Sequence, residues 1–503
     1  MHILKAFQRP LHNSLGREGC KRSIYFLGIC GTAMGNVAQL FKTMGYTVSG
    51  ADSEVYPPMS TVLQTSGITL YEGYNSQGLE QLKPDLVVIG NAISRGNPEV
   101  EWLLESHHIP FCSLPELINC FLLKKRKNIV VAGTHGKTTI ATLIAFLLQQ
   151  IGQRPGYLIG GVPLNLPSGS AIGNDNAPFV IEGDEYDSAF FDKRSKFIHY
   201  PPNILIINNI EFDHGDIFRD LEDVKRSFNH LIKIVPRNGY ILINGDDPAI
   251  ESLFPISWAN VVRVGKGAHN DLQLVSFQEA DAHTIFKLKW KGVLLHTYSW
   301  NLSGEYNARN AAMSLLAVGL HLNPEDPFKI DLSSHLLMFQ GVKRRQEIIF
   351  QNNQLTVIED FAHHPTAIYE TLKGIRSRYS DHLLTVCFEP RSNTMCRKIH
   401  QHELPQAFQH ADQILLAPVF RPHLYSDADR LDTHKVIAEL EKLGKSAKTF
   451  ENNEALFYHL STFIEEQAKG LKKHIVCFLS NGAFGGIIQK FIKTQPSAHL
   501  AHS

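Results

Sequence analysis

The stretch NIVVAGTHGKTTIATLIAFLL, residues 128–148, decides the fold of this chain. It joins an apolar strand (128–132) to a glycine-containing turn (133–139) and then to an apolar run that predicts a helix. Such a turn lets backbone N–H groups surround a phosphate, and the following helix directs its positive end to the same point. The usual motif is G-x-x-x-x-G-K-[ST], and here Val131 takes the place of its first glycine. The stretch predicts a nucleoside triphosphate site, against the alternative of a turn that contains a lysine by chance.

The residues of this turn have expected roles. Lys137 is expected to reach the β/γ-phosphates, and the Thr138 hydroxyl to bind Mg²⁺. Glu182 ends the apolar run 179–182, so its carboxylate is expected across from Thr138 as a second Mg²⁺ ligand. His214 closes the next strand and loop, but imidazole is an unusual Mg²⁺ ligand, so a metal contact and a structural hydrogen bond stay open for it.

Composition excludes several classes of protein. Lys+Arg and Asp+Glu are equal at 49 each, which argues against a nucleic-acid binder. No apolar run approaches the ~20 residues that span a bilayer. Seven cysteines without a C-x-x-C pair indicate reduced thiols in the cytosol.

Strand-like runs alternate with helix-like ones, which is typical of parallel α/β sheets. A length of 503 residues predicts about three domains. We expect a flexible N-terminal extension, a Rossmann-like N-terminal domain, a central P-loop ATPase-like domain and a Rossmann-like C-terminal domain, with bounds 1–22, 23–126, 127–339 and 340–503. The basic extension could instead be a transit peptide. The pattern from Val261 to Trp300 predicts antiparallel strands.

The N-terminal block has a second nucleotide-binding layout. A strand, a turn and a helix carry Gly28, Gly31 and Gly35, and Asp52 ends the next strand. The spacing is not G-x-G-x-x-G, so it does not favour a redox dinucleotide. Two nucleotide sites, one with the lysine motif, predict ATP plus a nucleotide-tagged substrate.

Three later segments carry further polar groups with open roles. Asn307 and Asn310 share a helix face and either read an adenine edge or cap the helix. Arg345 lies in an arginine pair that suits a phosphoryl group or the surface. Asp360 and His363 follow a strand, where the position predicts a site but fixes no role.

Together these residues resemble the Mur ligases, the ATP-dependent amide ligases of bacterial cell-wall assembly, over roughly 23–490. Three stretches favour the members that join L-alanyl-γ-D-glutamyl-meso-diaminopimelate to UDP-N-acetylmuramate over those that add L-alanine. They are residues 185–197, 389–395 and 480–486. The resemblance implies a cytoplasmic bacterial enzyme with those two small-molecule substrates, ATP and Mg²⁺, and neither a nucleic acid nor a membrane as partner. The open alternatives are an L-alanine ligase and a P-loop ATPase that forms no bond.

The resemblance also implies residue roles. The ATP-binding set is Gly133, Thr134, His135, Gly136, Lys137, Thr138, Thr139, Asn310 and Arg345. The metal set is Thr138, Glu182 and His214, and the catalytic set is Lys137, His214, Arg345, Asp360 and His363, the last a candidate base by position. The substrate-binding set is Gly28, Gly31, Gly35, Asp52, Arg391, Ser392, Asn393 and Asn481. Arg391 either meets a peptide carboxylate or pairs with Glu389.

Overall fold

The computed structural model describes residues 22–57, 59–279, 283–467 and 471–496. Its helices and strands alternate along the chain, as the sequence predicts, and the fold is α/β. The chain divides into two compact units. The first comprises the described residues up to 211 together with 221–270 and 313–330, and the second comprises 212–220, 271–312 and the described residues from 331 onward.

The first sheet lies in the first unit and is fully parallel, with strand order β3-β2-β1-β4-β5. Its strands are β1 Ser23–Leu27, β2 Thr47–Asp52, β3 Thr69–Glu72, β4 Leu86–Ile89 and β5 Phe111–Ser113. Its helices are α1 Thr32–Thr43, α2 Met59–Thr65, α3 Ser76–Leu82, α4 Pro98–Ser106 and α5 Leu114–Ile118, the last followed by a π-helical turn, Asn119–Leu123. The central strand β1 is apolar and buried because helices cover both faces of such a sheet. The expected extension 1–22 lies outside the described residues except for Arg22.

Seven further strands of the first unit follow the order β14-β13-β12-β6-β9-β7-β8. They are β6 Asn128–Ala132, β7 Gly156–Leu158, β8 Ser170–Ala171, β9 Phe179–Gly183, β12 Ile204–Ile207, β13 Tyr240–Asn244 and β14 Asn260–Gly265. A separate hairpin pairs β10 Asp187–Ala189 with β11 Asp192–Ser195. The helices are α6 Lys137–Gln150, α7 Leu221–Lys233 and α8 Pro248–Glu251. Since β9 and β12 flank β6 in parallel, the polar residues after all three strands meet at one sheet edge.

Three antiparallel strands belong to the second unit: β15 Leu272–Glu279, β16 Thr284–Trp290 and β17 Val293–Trp300. The prediction of antiparallel strands from Val261 onward is therefore wrong for its first part, because β14 pairs in parallel with β13. Alternation of polar and apolar residues indicates a half-buried strand but carries no information on the direction of its neighbour.

The last sheet has the order β18-β19-β23-β20-β21-β22 and is parallel except for β18. Its strands are β18 Glu347–Gln351, β19 Leu355–Asp360, β20 Leu383–Phe388, β21 Gln413–Leu416, β22 Ser446–Thr449 and β23 His474–Leu479. The remaining helices are α9 Glu305–Leu322, α10 Ser333–Leu337, α11 Pro365–Arg378, α12 Leu404–Ala407, α13 Thr433–Lys442, α14 Asn453–Gln467 and α15 Ile487–Thr494. Buried apolar clusters lie on both faces of this sheet. Across the described ranges, no helix has the length and apolarity needed to cross a membrane.

Candidate active site

The phosphate loop has the backbone that the sequence predicts. β6 ends at Ala132, the loop turns with positive φ at Gly133 (134°) and Gly136 (85°), and α6 begins at Lys137. A side chain at Gly133 would also meet the backbone nitrogens of Asn208 and Asn209 at 3.2 and 3.1 Å. Glycine is therefore required at Gly133 for its φ and for the close approach of a neighbouring strand.

Residues after β12 brace this loop from the side. The His135 N–H donates to the Asn209 side-chain oxygen at 2.7 Å, and Asn208 Nδ2 donates to the His135 carbonyl at 3.0 Å. The Glu211 N–H donates to the Thr134 hydroxyl at 2.9 Å. These roles were not predicted from the sequence, although two amides directly after an apolar strand are a usable signal.

Lys137 lies across the loop. Its ammonium donates to the Gly133 carbonyl at 2.6 Å and to Glu185 Oε2 at 2.9 Å. Burial alone would lower the pKa of Lys137, but the carboxylates of Glu185 and Asp184 outweigh it and raise that pKa. Lys137 is therefore a fixed cation. Glu185 is buried, at 3% exposure, and its pairing with Lys137 was not predicted from the sequence.

Thr138 and Glu182 meet as the sequence predicts. The Thr138 hydroxyl donates to Glu182 Oε2 at 3.1 Å, and the other carboxylate oxygen accepts from the Gly160 N–H at 2.6 Å. A hydroxyl and a carboxylate beside a phosphate loop are the hard oxygen ligands that Mg²⁺ prefers. These residues fit a Mg²⁺–nucleotide complex, and Thr139 is buried in the same first turn of α6.

The N-terminal loop is organised by Asp52. The Cys30 N–H donates to Asp52 Oδ2 at 2.8 Å, and the Gly28 N–H donates to the Ala51 carbonyl at 2.8 Å. Gly28 has a φ of 82°, which suits glycine. Asp52, Gly28 and Gly31 thus share one turn, in which the Gly31 N–H donates to the Gly28 carbonyl at 3.3 Å.

Gly35 differs from the other glycines of this block. It lies inside α1, and a side chain there would meet the Met59 sulfur at 2.5 Å. Close packing of α2 on α1 accounts for this glycine without a ligand, so its substrate-binding role stays a prediction.

In the second unit, Asp213 lies among three histidines. Its Oδ2 is 3.8 Å from the Nε2 atoms of both His214 and His363, and its Oδ1 accepts from the His214 N–H at 2.7 Å. Burial opposes ionisation of Asp213, but the charges of His214, His363 and His364 hold its pKa below the ordinary value. Asp213 is therefore an anion that orients imidazoles.

The two adjacent histidines have different roles. His364 is buried and caps α11, because its Nδ1 accepts from the Thr366 N–H at 3.3 Å. His363 Nδ1 lies 2.9 Å from the Phe361 carbonyl. A hydrogen on Nδ1 satisfies that carbonyl and leaves the basic lone pair of a neutral ring on Nε2.

Asp360 ends β19 and is held by backbone donors. The Gln346 and Ala362 N–H groups each donate to its carboxylate at 2.7 Å. Burial raises the pKa of Asp360, although Arg345 and these N–H groups oppose the rise. The Arg345 guanidinium lies 4.8 Å from the Phe361 ring centroid. Arg345 and Asp360 thus lie in one neighbourhood.

The asparagines at the start of α9 form a buried relay. Asn310 Nδ2 donates to Asn307 Oδ1 at 3.1 Å, and Asn307 Nδ2 donates to the Ser303 carbonyl at 2.8 Å. Asn307 therefore satisfies the backbone before the helix, and Asn310 remains the candidate adenine contact. Beside them, the Tyr306 hydroxyl accepts from Gln346 Nε2 at 2.9 Å.

The candidate peptide residues follow β20 and β23, which are neighbours in the sheet. Arg391 Nη1 lies 3.5 Å from Glu389 Oε1, so the local ion pair, one of the two alternatives for Arg391, is present. The Ser392 hydroxyl accepts from the Met395 N–H at 3.2 Å and fixes the turn. Asn481 Oδ1 is buried and has no hydrogen-bond partner within the described part of the chain.

The candidate residues are distributed over both units. The first unit holds Gly28, Gly31, Gly35, Asp52, the phosphate loop and Glu182. The second holds His214, Asn310, Arg345, Asp360, His363, Arg391, Ser392, Asn393 and Asn481.

Comparison with known proteins adds the family. The Mur ligase family catalytic domain matches residues 23–126, the Mur ligase middle domain matches 131–318, and the Mur ligase glutamate ligase domain matches 344–477. The UDP-N-acetylmuramate–L-alanyl-γ-D-glutamyl-meso-2,6-diaminoheptandioate ligase of Escherichia coli K12 is 38% identical over 474 residues, 93% of this chain and 97% of that protein.

Solved structures agree. A murein peptide ligase from Psychrobacter arcticus 273-4 is 34% identical with a TM-score of 0.67, covering 95% of this chain and all of that one. The UDP-N-acetylmuramate–alanine ligase of Thermotoga maritima has a TM-score of 0.72 at 22% identity, covering 94% of this chain and 98% of that one, and shows the fold alone. A phosphate loop braced by the next strand, three matched domains in order and relatives of this similarity lead to one conclusion: the chain belongs to the Mur ligase family.

Proposed function

We propose that this chain is an ATP-dependent amide ligase that joins L-alanyl-γ-D-glutamyl-meso-diaminopimelate to UDP-N-acetylmuramate in murein recycling. The observation that carries the chemistry is the phosphate loop with Lys137 as a fixed cation and the Thr138–Glu182 contact. The choice of substrates is supported by two relatives named for them, at 38% and 36% identity. Relatives named as L-alanine ligases reach 30% and 31%.

The proposed reaction has two balanced steps. A carboxylate oxygen of UDP-N-acetylmuramate bonds to the γ-phosphorus, the bond to the β-phosphate oxygen breaks, and ADP leaves. The peptide amine then bonds to the acyl carbon, the carbon–oxygen bond to phosphate breaks, and inorganic phosphate leaves. Phosphorylation is needed because a carboxylate lacks a good leaving group.

The residues of the chain act on the charge that develops in these steps. Lys137 and Arg345 are the cations that would stabilise the transferring phosphoryl oxygens. Thr138 and Glu182 would hold one Mg²⁺ and His214 a second, and Mg²⁺ neutralises phosphate charge when it is bound. Asn310 would contact adenine. Asp360, which lies in the proposed C-terminal domain, would contact the nucleotide.

The amine must lose a proton before or during its attack, and His363 is the proposed base. Its Nδ1 faces the Phe361 carbonyl, which leaves Nε2 to accept a proton. The anionic Asp213, 3.8 Å from that nitrogen, would stabilise the imidazolium that forms.

The remaining assignments follow the family. We assign UDP-substrate binding to 23–126 with Gly28, Gly31, Gly35 and Asp52, ATP binding to 127–339, and peptide binding to 340–503 with Arg391, Ser392, Asn393 and Asn481. Both substrates are small molecules, and the proposed compartment is the bacterial cytoplasm, which supplies ATP and UDP-linked precursors.

An isotope experiment tests the acyl phosphate. UDP-N-acetylmuramate labelled with ¹⁸O in its carboxylate is incubated with ATP, Mg²⁺ and tripeptide, and the released phosphate is analysed by mass spectrometry. One ¹⁸O atom in each phosphate, one for each amide formed, is expected. Unlabelled phosphate would contradict the mechanism, and phosphate release without amide would favour a P-loop ATPase.

A further inference from the structure

Two guanidinium groups in the second unit lie against one aromatic ring. The Cζ atom of Arg391 lies 3.8 Å from the Phe420 ring centroid, and the Cζ atom of Arg421 lies 5.1 Å from it. Arg391 follows β20 and Arg421 follows β21, which are parallel neighbours. The two cations therefore arrive at the same edge of the sheet, close enough to bind one molecule with two anionic groups.

Arg391 is held in place from several sides. A methyl group at Gly482 would overlap its side chain, so this glycine makes room for the guanidinium. Its ion-pair partner Glu389 is 3% exposed. The carboxylate of Glu389 also accepts a hydrogen bond from the Ser480 hydroxyl, at 2.5 Å from Oε2, so it does not serve Arg391 alone. A side chain fixed in this way loses little entropy when it binds a ligand.

Arg421 differs from Arg391 in its surroundings. It is exposed, and no carboxylate of the described ranges forms an ion pair with it. Among the described residues, Glu389 forms its ion pair with Arg391 and does not balance the charge of Arg421. Like charges on one ring repel each other, and an anionic ligand relieves that repulsion.

The loop that carries Phe420 and Arg421 adjoins the candidate peptide residues. The Phe420 N–H donates to the Pro390 carbonyl at 2.9 Å, and the Tyr425 hydroxyl donates to Asn393 Oδ1 at 3.2 Å. The two arginines and Asn393 therefore form one continuous surface in this unit.

The geometry points to a paired-guanidinium site in which Arg391 and Arg421 bind two different carboxylates of the incoming amine, with Phe420 as the positioning residue of both. The inference rests on the proposed function, because a tripeptide that ends in a diamino dicarboxylic acid carries several carboxylates. Free L-alanine has one carboxylate and uses one guanidinium at most. Arg421 thereby becomes a residue that selects the amine substrate.

The test is a kinetic comparison of Arg421→Ala with the wild-type enzyme on two peptides. One is the diaminopimelate tripeptide, and the other has L-lysine in third place and so lacks the distal carboxylate. We expect Arg421→Ala to raise the KM of the first at least about tenfold and that of the second by less than about threefold. The kcat and the KM values for ATP and UDP-N-acetylmuramate should stay within about twofold. Lys435→Ala, which removes an exposed cation from the same domain, is the matched control and should change none of them.

Phe420→Leu tests the positioning role, since leucine keeps the apolar bulk and removes the aromatic face. It should raise the KM of the diaminopimelate tripeptide in the wild-type background and by a smaller factor in the Arg421→Ala background, where Arg391 alone is left for the ring to position. Equal effects of Arg421→Ala on both peptides, or none on either, would overturn the inference while leaving the proposed ligase intact. A wild-type enzyme that uses L-alanine and rejects both peptides would overturn both.

Discussion

At the scale of single residues, the Lys137–Glu185 pair is expected to affect both the stability of the fold and the proposed reaction. Both partners are largely buried, and the ammonium also bridges to the Gly133 carbonyl. Removing one member of a buried pair leaves an uncompensated charge, which costs about 3–5 kcal/mol. A loss of activity on mutation of Lys137 therefore has to be separated from a loss of folding.

Lys137→Ala should lower product formation at least about 10³-fold, because no other group on the loop supplies a charge to the transferring phosphoryl group. The double variant Lys137→Ala with Glu185→Gln should regain thermal stability but no activity. Lys125→Ala, which removes an exposed cation, is the control. Steady-state amide formation and differential scanning fluorimetry check this. Activity within tenfold of wild type in a folded single variant would remove Lys137 from the mechanism.

Glu182→Gln should raise the Mg²⁺ concentration for half-maximal activity about tenfold or more, because an amide is a weaker ligand for a hard cation than a carboxylate. His214→Ala should shift it in the same direction. Asp187→Asn, an acid of the same segment that pairs with Lys193, is the matched control. Mg²⁺ titrations that superimpose for all variants would make Glu182 and His214 structural residues.

Some residues of this site are predictable from sequence for a clear physical reason. Lys137 and Thr138 follow from the local spacing of one loop, and Glu182 from its place at the end of an apolar strand. The hydrogen bonds between Asn208, Asn209 and the phosphate loop are not predictable in this way, because they depend on which strand lies beside β6. Sequence spacing does not encode that neighbour.

At the scale of elements, the end of α9 carries a group that responds to pH. Burial, with a smaller effect of the Lys127 charge, lowers the pKa of His321 to about 4. A histidine whose pKa is lower in the folded state stabilises the fold above its ordinary value near 6.5, and this contribution is lost as the pH falls toward 4. The unfolded chain binds the proton more readily over that range.

His321→Gln should therefore weaken the fall in melting temperature between pH 7 and pH 5 by several degrees, because glutamine has no proton to gain. His108→Gln, at an exposed histidine, should leave the fall unchanged. Melting curves at fixed ionic strength check this. A His321→Gln variant with the wild-type pH profile would contradict the assignment.

Element pairing shows the same limit of prediction. The strands of the parallel sheets were recognisable because continuous apolar runs ending in polar groups are typical of strands buried on both faces. The direction of β14 relative to β13 was not recognisable, because half-buried strands alternate polar and apolar residues in parallel and antiparallel pairs alike.

At the scale of the whole molecule, order along the chain carried more information than any single motif. The phosphate loop alone predicts an ATPase, and the succession of loop, acid, histidine and arginine segments over most of the chain resembles one family.

The two compact units of the structure do not follow the proposed domain bounds at 126 and 340. The ring centroid of Phe111, in the N-terminal sheet, lies 5.5 Å from that of Phe191, in the turn between β10 and β11. Both residues belong to the first unit. A contact of this kind across a predicted bound has no local sequence signal.

The central claim concerns the amine that the enzyme accepts. The most direct measurement is a competition in which UDP-N-acetylmuramate, ATP and Mg²⁺ are given with equal concentrations of free L-alanine and L-alanyl-γ-D-glutamyl-meso-diaminopimelate. Mass spectrometry then separates the two UDP-linked products. We predict that the tripeptide product dominates by at least about 100-fold, because the contacts proposed for Arg391 and Arg421 need carboxylates that L-alanine lacks. Preferential formation of UDP-N-acetylmuramoyl-L-alanine would contradict the account, while leaving the Mur ligase family intact.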